Sequence, residues 1–403
     1  MNTSPLHQPT ALPASVITDE QLFNTPKVAI IAAGHAIHDT YASFLPALLP
    51  VLIQRFALIK TEAALLSVFM MAPSLLQPVI GYLADRASLR RFMVIAPAIT
   101  ATIMSFLGVA PYYAVAAMLL ILAGVSSASL HATGPVMAGR LSANRLGLGM
   151  SFWMVGGELG RVVGPILIVT ALTTLGPQGT PWLSVAGILT SVILYLQLRK
   201  VRGNTHTGKP ALEWGNALKA MRPILLPVTA IIVLRAFAFA SASTFLPTFL
   251  TEEGAGLVLA GASLSVMEVG GVVGALLGGT FSDKIGRKPV VWLSLIMTSA
   301  FLFLLLTARG WMQFPVLIGL GFFMLSLTPV VMAIVQESFP ENRALANGIF
   351  MAVTFVSSSF AALVVGAFGD LFNLRTAFLI SALVILAGLP FVFRLPTNNT
   401  QPT

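Results

Sequence analysis

The stretch GYLADRASLRR, from Gly81 to Arg91, has a counterpart in GTFSDKIGRKP, from Gly279 to Pro289. Each carries an aspartate four residues after its first glycine, then a basic residue and a basic cluster. A second mark, FLP, occurs at Phe44–Pro46 and again at Phe245–Pro247. The aspartates at 85 and 283 are 198 residues apart, and the two FLP motifs are 201 residues apart. Two separate marks with nearly one spacing predict a chain built from two parallel repeats.

Long apolar runs lie on either side of these loops. The chain has 403 residues, of which 56% are hydrophobic and 9% are charged. A soluble domain usually has about 25% charged residues, so this chain has too few charges to cover a surface in water. A run of about 20 apolar residues spans a bilayer as a helix, and twelve such runs follow one another. The sequence therefore predicts an all-α polytopic membrane protein with twelve transmembrane helices in two pseudo-symmetric six-helix bundles.

The polar segments divide the chain into units. The longest polar connection, VRGNTHTGKPALEWGNALKAMR at 201–222, is basic and joins the sixth and seventh runs. We predict a disordered cytoplasmic tail at 1–26, a six-helix bundle at 27–200, a cytoplasmic linker at 201–222, a second bundle at 223–395 and a C-terminal tail at 396–403.

The basic residues indicate how the chain is oriented. Of the 23 lysines and arginines, 17 fall on the side that holds the N-terminus, four fall on the other side, and Arg161 and Arg235 lie within runs. Loops on the cytoplasmic side of a membrane are enriched in lysine and arginine. Both termini are therefore predicted to be cytoplasmic.

Several classes of function are not supported by the sequence. Cysteine is absent, which excludes a disulfide, a thiolate nucleophile and a cysteine metal site. The sequence contains no HExxH, Walker P-loop, GxSxG or dinucleotide glycine pattern. The net charge of +9 lies in alternate loops rather than on one face, so it marks topology and not nucleic-acid binding. We predict no enzyme activity, no cofactor and no metal, with an ion gradient as the energy source.

The first run contains ionisable residues near its middle. The stretch GHAIHDTYASFLP, Gly34 to Pro46, places His35 and Asp39 four residues apart and His38 within the same helical arc. A charge at the centre of a bilayer costs about 2.5–3.5 kcal/mol, so these side chains must face a cavity or a partner. Histidine titrates near physiological pH. We expect Asp39, His35, His38 and the mid-run Glu268 to carry protons, the alternative being that they only hydrogen-bond neighbouring helices.

The fifth run combines a glycine stripe with a charged pair. Gly156, Gly160 and Gly164 recur at every fourth residue and are followed by Pro165, a pattern that lets helices pack closely. Glu158 and Arg161 lie three residues apart on the same run. They form either a structural pair or a gate or substrate site.

Further candidates for substrate binding lie in other runs. Arg235 is near the middle of the seventh run, at the depth of His35 by the repeat spacing. It either receives an anionic group or pairs permanently with Asp39 or Glu268. His131, late in the fourth run, either binds substrate or satisfies a carbonyl. Trp153 and Phe239 either line an apolar pocket or pack against helices and lipid.

The repeated loop resembles the signature loop of the major facilitator superfamily, and the likeness extends from about residue 28 to 394. It implies a gating or structural role for Gly81, Asp85, Arg86, Asp283, Lys284, Gly286 and Arg287. The stretches GHAIHDTYASFLPALLP, SLLQPVIGYLADR and SFWMVGGELGRVVGP resemble the fosmidomycin-resistance branch, which consists of proton-driven drug exporters. The resemblance matches the branch's histidine and aspartate in span one to His35 and Asp39, and its span-four histidine to His131. It departs at Ala132 and Thr133, where the branch has a proline and an acidic residue.

The glycine stripe resembles the antiporter motif of exporters in the superfamily. The likeness implies a monomeric antiporter in the bacterial inner membrane that moves protons inward and drugs or small amphiphilic or anionic compounds outward by alternating access. One alternative is a proton-coupled importer of a small metabolite such as an organic acid. A remote alternative is a non-transporting membrane receptor, for which the chain offers no sizeable soluble module.

Overall fold

The structure is a computed structural model that describes residues 24–77, 80, 89–142, 146–201, 214–338 and 343–396. Gly81, Asp85 and Arg86 of the first signature loop lie outside the described residues, as do most of the predicted N-terminal tail and residues 397–403. The described residues contain helices and no strand.

The described residues of the first half form seven α-helices. Their bounds are α1 Thr25–Ala42, α2 Phe44–Phe56, α3 Lys60–Met71, α4 Leu89–Leu107, α5 Tyr113–Leu141, α6 Leu146–Leu175 and α7 Ser184–Leu198. Helix α1 begins where the side chain of Asn24 accepts a hydrogen bond from the backbone N–H of Lys27, at 3.3 Å, as N-cap residues do. Helices α1 and α2 together form the first span, with a break at Ser43.

The described residues of the second half form seven more. Their bounds are α8 Trp214–Glu252, α9 Leu257–Ile285, α10 Arg287–Thr307, α11 Gln313–Ser338, α12 Arg343–Leu371, α13 Leu374–Val384 and α14 Leu389–Val392. Helix α8 begins at Trp214, inside the segment predicted as a linker up to residue 222. The apolar run starts only near residue 223. Hydropathy therefore does not predict where this helix begins.

Eleven described segments are long and apolar enough to cross a membrane. The remaining predicted span, at 61–84, is described only as α3, a 3₁₀ turn at Ala72–Leu76 and residues 77 and 80. The chain is thus an all-α polytopic membrane protein, as the sequence predicts.

Close backbone packing holds each half together. In the second half, Gly270, Gly274 and Gly278 of α9 lie against backbone carbonyls of α11, and a Cβ at any of them would overlap the facing oxygen. In the first half, glycines of α6 lie against α1 in the same way. Small residues permit such close helix approach in membranes.

Among the described residues, the two halves meet mainly where α6 packs on α9, α3 on α12, and α2 on α8. Ala64 of α3 packs within the apolar core of the second half. The described polar contacts between halves concentrate at one end of the bundle. We call this end, which holds residues 57–60, 253–256 and 372–373, the distal end.

Asp370 closes the distal end by capping a helix of the other half. Its carboxylate accepts hydrogen bonds from the backbone N–H groups of Lys60 and Thr61, at 2.6 and 2.9 Å, and from the Thr61 hydroxyl at 2.6 Å. These N–H groups belong to the first turn of α3 and have no partner within their helix. Lys60 also pairs with Glu252 of the second half, at 3.1 Å. The halves are therefore joined at the distal end.

Replacing Asp370 with alanine removes three hydrogen bonds between the halves. Because each contributes about 0.5–1.5 kcal/mol net, we expect the distal end to open in a larger share of molecules. Spin labels at Ile59→Cys and Phe372→Cys, both exposed and on opposite halves, measure this as an added long-distance population. The native chain has no cysteine to label.

The matched control for this experiment is Glu253→Ala. Glu253 lies at the same end but pairs with Arg309 and Arg375 of its own half, so its loss should leave the distances between halves unchanged. Equal broadening in both variants, or none in Asp370→Ala, would contradict the capping role.

Candidate functional site

Three imidazoles surround the carboxylate of Asp39 in the middle of the first span. His38 Nδ1 lies 2.9 Å from Asp39 Oδ1, and His35 Nε2 lies 3.3 Å from Oδ2. His131 of α5 reaches the same carboxylate, with its Nε2 3.8 Å from Oδ1. The Asp39 side chain is 8% exposed and that of His131 is 35% exposed. The predicted proton carriers of α1 and the predicted substrate residue His131 thus form one cluster, which we call the Asp39 cluster.

Backbone carbonyls fix which ring nitrogens carry hydrogen. His35 Nδ1 lies 2.8 Å from the carbonyl oxygen of Trp153, and His131 Nδ1 lies 2.9 Å from that of Ser127. A carbonyl can only accept, so each Nδ1 donates and each neutral ring is left with a bare Nε2 facing Asp39. Each bare Nε2 and the carboxylate oxygen that it faces are then both hydrogen-bond acceptors. A proton added to His35 Nε2 or to the carboxylate would turn the 3.3 Å gap between them into a hydrogen bond, so the cluster has room for an additional proton.

His38 and Trp153 shape the rest of the cluster. His38 is fully buried, and its Nε2 has no hydrogen-bond partner among the described residues. Because Nδ1 is the atom next to the carboxylate, we assign the His38 proton there. The Trp153 ring stacks on His35 with centroids 3.7 Å apart. Trp153 therefore positions His35 with both its ring and its carbonyl.

The glycine stripe of α6 provides the space that the cluster needs. A Cβ at Gly156, Gly160 or Gly164 would overlap backbone carbonyls of α1, and one at Gly160 would also lie 2.9 Å from Asp39 Cβ. Gly157, which the sequence reasoning missed, faces the cluster directly, since a Cβ there would lie 3.0 Å from Asp39 Oδ2. The paired glycines at 156 and 157 were the available signal. Pro165 lies within α6, which continues to Leu175.

Glu158 and Arg161 form an ion pair on α6 that also reaches the other half. The guanidinium of Arg161 contacts Glu158, and its Nε lies 3.7 Å from Glu268 Oε2 on α9. Glu158 and Glu268 are buried, whereas the Arg161 side chain is 38% exposed. The predicted proton carrier Glu268 is thus a partner of Arg161, and the two residues face each other where α6 of the first half packs on α9 of the second.

Arg235 has partners other than those expected. It donates from Nη2 to the Met324 carbonyl oxygen and to the Thr328 hydroxyl of α11, both at 2.8 Å, and lies over the Phe239 ring at 5.5 Å. Permanent pairing with Asp39 or Glu268, one of the two alternatives, is not found: among the described residues, Arg235 has no ion pair. Asp39 has its imidazoles and Glu268 has Arg161, so neither carboxylate is left for Arg235.

The described copy of the signature loop is a packed turn. Gly286 has φ of +94°, a backbone conformation that favours glycine. Arg287 pairs with Asp283 at 2.7 Å and with Glu337 of α11 at 2.6 Å, and Lys284 is exposed. These contacts tie the turn between α9 and α10 to the end of α11. They do not touch the Asp39 cluster.

One group of side chains is close enough to bind a metal ion. His35, Asp39 and His131 each offer one ligand atom, and these atoms lie within 4.8 Å of one another. The sequence predicts no metal here, and a chelator distinguishes the two possibilities in any transport assay.

Comparison with known proteins gives a consistent picture. A sequence model of the Major Facilitator Superfamily matches residues 31–281 and 254–403. The chain is 27% identical over 377 residues to the fosmidomycin resistance protein of Escherichia coli (strain K12), covering 92% of each chain. It is 23% identical over 389 residues to the uncharacterized MFS-type transporter YfnC of Bacillus subtilis (strain 168), covering 93% of each.

Two solved structures share the fold. A bacterial homologue of the human lysosomal transporter Spinster, in an inward-facing and occupied conformation, superposes with a TM-score of 0.76 at 13% identity, covering 92% of this chain and 96% of that one. The crystal structure of a D-xylose-proton symporter gives a TM-score of 0.73 at 16% identity, covering 94% of this chain and all of that one.

Gly160→Val should lower the thermal stability of the purified protein. Its side chain would enter the space of the Ala36 carbonyl and Asp39, and overpacking costs about 1–3 kcal/mol. A melting curve in detergent measures the loss. Gly279→Val on α9 is the control, because a Cβ at Gly279 meets nothing within 4 Å. Equal melting temperatures for the two variants would contradict close α1–α6 packing.

Proposed function

The chain belongs to the major facilitator superfamily, and on that premise we propose that it is a proton-coupled antiporter that exports drugs or small amphiphilic or anionic compounds. Membership makes it a multi-pass membrane transporter. The observation that carries the proposal is the Asp39 cluster, in which three imidazoles face one buried carboxylate in mid-span. The relative named for fosmidomycin resistance supports export as the direction.

The proposed orientation places the distal end outside the cell and both termini in the cytoplasm of a bacterium. The excess of lysine and arginine at the other end supports this. With the distal contacts of Asp370 and Lys60 formed, the protein is then closed to the outside.

In the proposed mechanism, the proton acts beside the seam between the halves. Gly160 packs against Asp39, and the next residue, Arg161, reaches Glu268 of the other half at 3.7 Å. Loss of the Asp39 charge on protonation changes the field at Arg161, and protonation of Glu268 weakens its bond to Arg161. Either event lowers the barrier to parting the halves. Since linkage is reciprocal, substrate binding must in turn shift proton affinity.

The role of Asp39 predicts a specific loss. In proteoliposomes with a pH-sensitive dye inside, the wild type should show proton flux driven by an exported compound. In Asp39→Asn this flux should be at least about tenfold lower, equivalent to a barrier raised by about 1.4 kcal/mol. Asparagine keeps the size but cannot exchange a proton. Glu253→Gln at the distal end is the control and should keep its flux.

Two outcomes would count against this role. Unchanged coupling in Asp39→Asn would exclude Asp39 as the carrier. Loss of wild-type flux on addition of a chelator would favour a metal at His35, Asp39 and His131 over a proton.

Import of a small metabolite is the second candidate, since one fold can serve both directions and a structural neighbour is a proton symporter. The glycine stripe of α6 favours export. In whole cells of a pump-deficient host, expression should lower accumulation of a transported drug, and a protonophore should restore it. Accumulation that rises on expression and falls with the protonophore would reverse the direction.

A further inference from the structure

The guanidinium of Arg235 is a buried charge without a counter-ion among the described residues. Its residue is 8% exposed, and its Nε has no hydrogen-bond partner. Its bonded partners, the Met324 carbonyl and the Thr328 hydroxyl, are neutral. A buried charge that is left unpaired is strongly destabilising. The two neutral hydrogen bonds therefore do not offset the free-energy cost of burying the Arg235 charge.

Every other buried charged side chain of the described residues has an ionisable partner within 4 Å. Asp39 faces its imidazoles, Glu158 and Glu268 share Arg161, and Arg287 has Asp283 and Glu337. Arg235 is therefore the exception. Since Glu268 already contacts Arg161, no buried carboxylate on the second half is left to neutralise Arg235.

In the repeat, Arg235 has the position in the second half that corresponds to the Asp39 cluster in the first half. Arg235 stands 201 residues after Gly34, the neighbour of His35, and Thr328 stands 197 residues after His131. The helices α1 and α5 thus have α8 and α11 as their counterparts. In the first half this position holds a carboxylate and imidazoles, and in the second half it holds a guanidinium and a hydroxyl.

The free groups around Arg235 define what it can bind. Nε is an unused donor on the edge of the guanidinium, the geometry that receives an oxygen of a carboxylate or phosphate. Thr328 is partly exposed and uses its oxygen to accept from Arg235, so its O–H remains available to donate. The Phe239 ring, 5.5 Å from the guanidinium carbon, supplies an apolar surface beside the charge.

We propose that Arg235, Thr328 and Phe239 form an anion-binding site on the second half, and that the transported compound carries an oxyanion on an apolar or aromatic body. This inference rests on the proposed transport function and narrows its substrate class. The anion supplies the counter-charge that Arg235 lacks. Proton and substrate then occupy corresponding positions on opposite halves.

The test is binding of benzoate to the purified full-length protein in lipid nanodiscs, in a zwitterionic buffer with little competing anion. Isothermal titration measures affinity, and a melting curve measures ligand stabilisation, which follows from binding to the folded state alone. Benzamide, neutral and of similar shape, and the cation benzylamine are the matched ligands. We expect benzoate alone to bind and to raise the melting temperature of the wild type.

Variants separate this site from a general effect of charge. Arg235→Gln should weaken benzoate binding at least tenfold, Arg235→Lys less than Arg235→Gln, and Thr328→Val by a few fold. Arg309→Gln, at the exposed distal surface, should bind as the wild type does. Without ligand, Arg235→Gln should melt no lower than the wild type, because an unpaired buried charge has been removed.

The proposal is overturned if Arg235→Gln binds benzoate as tightly as the wild type, or if the wild type does not prefer benzoate to benzamide. Should Arg235→Gln fail to fold, the lysine and Thr328→Val variants carry the same comparison. Arg235-dependent binding without proton-linked export would support the site and contradict the proposed function. Proton-linked export of neutral or cationic compounds that is unaffected in Arg235→Gln would do the reverse.

Discussion

The contact between Asp39 and its three histidines is the interaction on which the rest of the structure depends. A charge at the centre of a bilayer costs about 2.5–3.5 kcal/mol, so this carboxylate requires partners within reach. Those partners come from α1 itself and from α5. The cluster also requires that α6 approach α1 without side chains between them, which Gly157 and Gly160 allow. The burial of the ionisable cluster therefore depends on the close helix packing that the glycine stripe allows.

The same packing connects the cluster to the seam between the halves. Arg161 extends from the helix that covers Asp39 and reaches Glu268 of the second half. The halves are also joined at the distal end, where Asp370 accepts hydrogen bonds from the first turn of α3 and Lys60 pairs with Glu252. A change of charge at the Asp39 cluster would thus occur close to the weak Arg161–Glu268 contact between the halves. The stronger contacts between the halves lie at the distal end. Such an arrangement suits two bodies that rock about a central site.

The sequence predicted features that follow from one helix or from the repeat. Helical spacing placed His35 on the face of Asp39 and Glu158 beside Arg161, and the loop charges and FLP motifs indicated two bundles of spans. Features that depend on how helices meet were missed. These include the carbonyls of Trp153 and Ser127, which fix the histidine tautomers, and the cap that Asp370 places on α3. One of the two alternatives for Arg235, a permanent pair with Asp39 or Glu268, is not found for the same reason, because depth in the membrane does not specify which neighbour a side chain faces.

The proposed proton transfer requires a chamber through which water reaches the Asp39 cluster from one side of the membrane. A cysteine in place of Ser127, whose carbonyl holds His131, tests it most directly, since the native chain has no cysteine. In membrane vesicles of known orientation, a membrane-impermeant thiol reagent should modify this cysteine from the cytoplasmic side and much more slowly from the distal side. Lack of reaction from both sides, in a variant that still folds and inserts, would contradict the chamber.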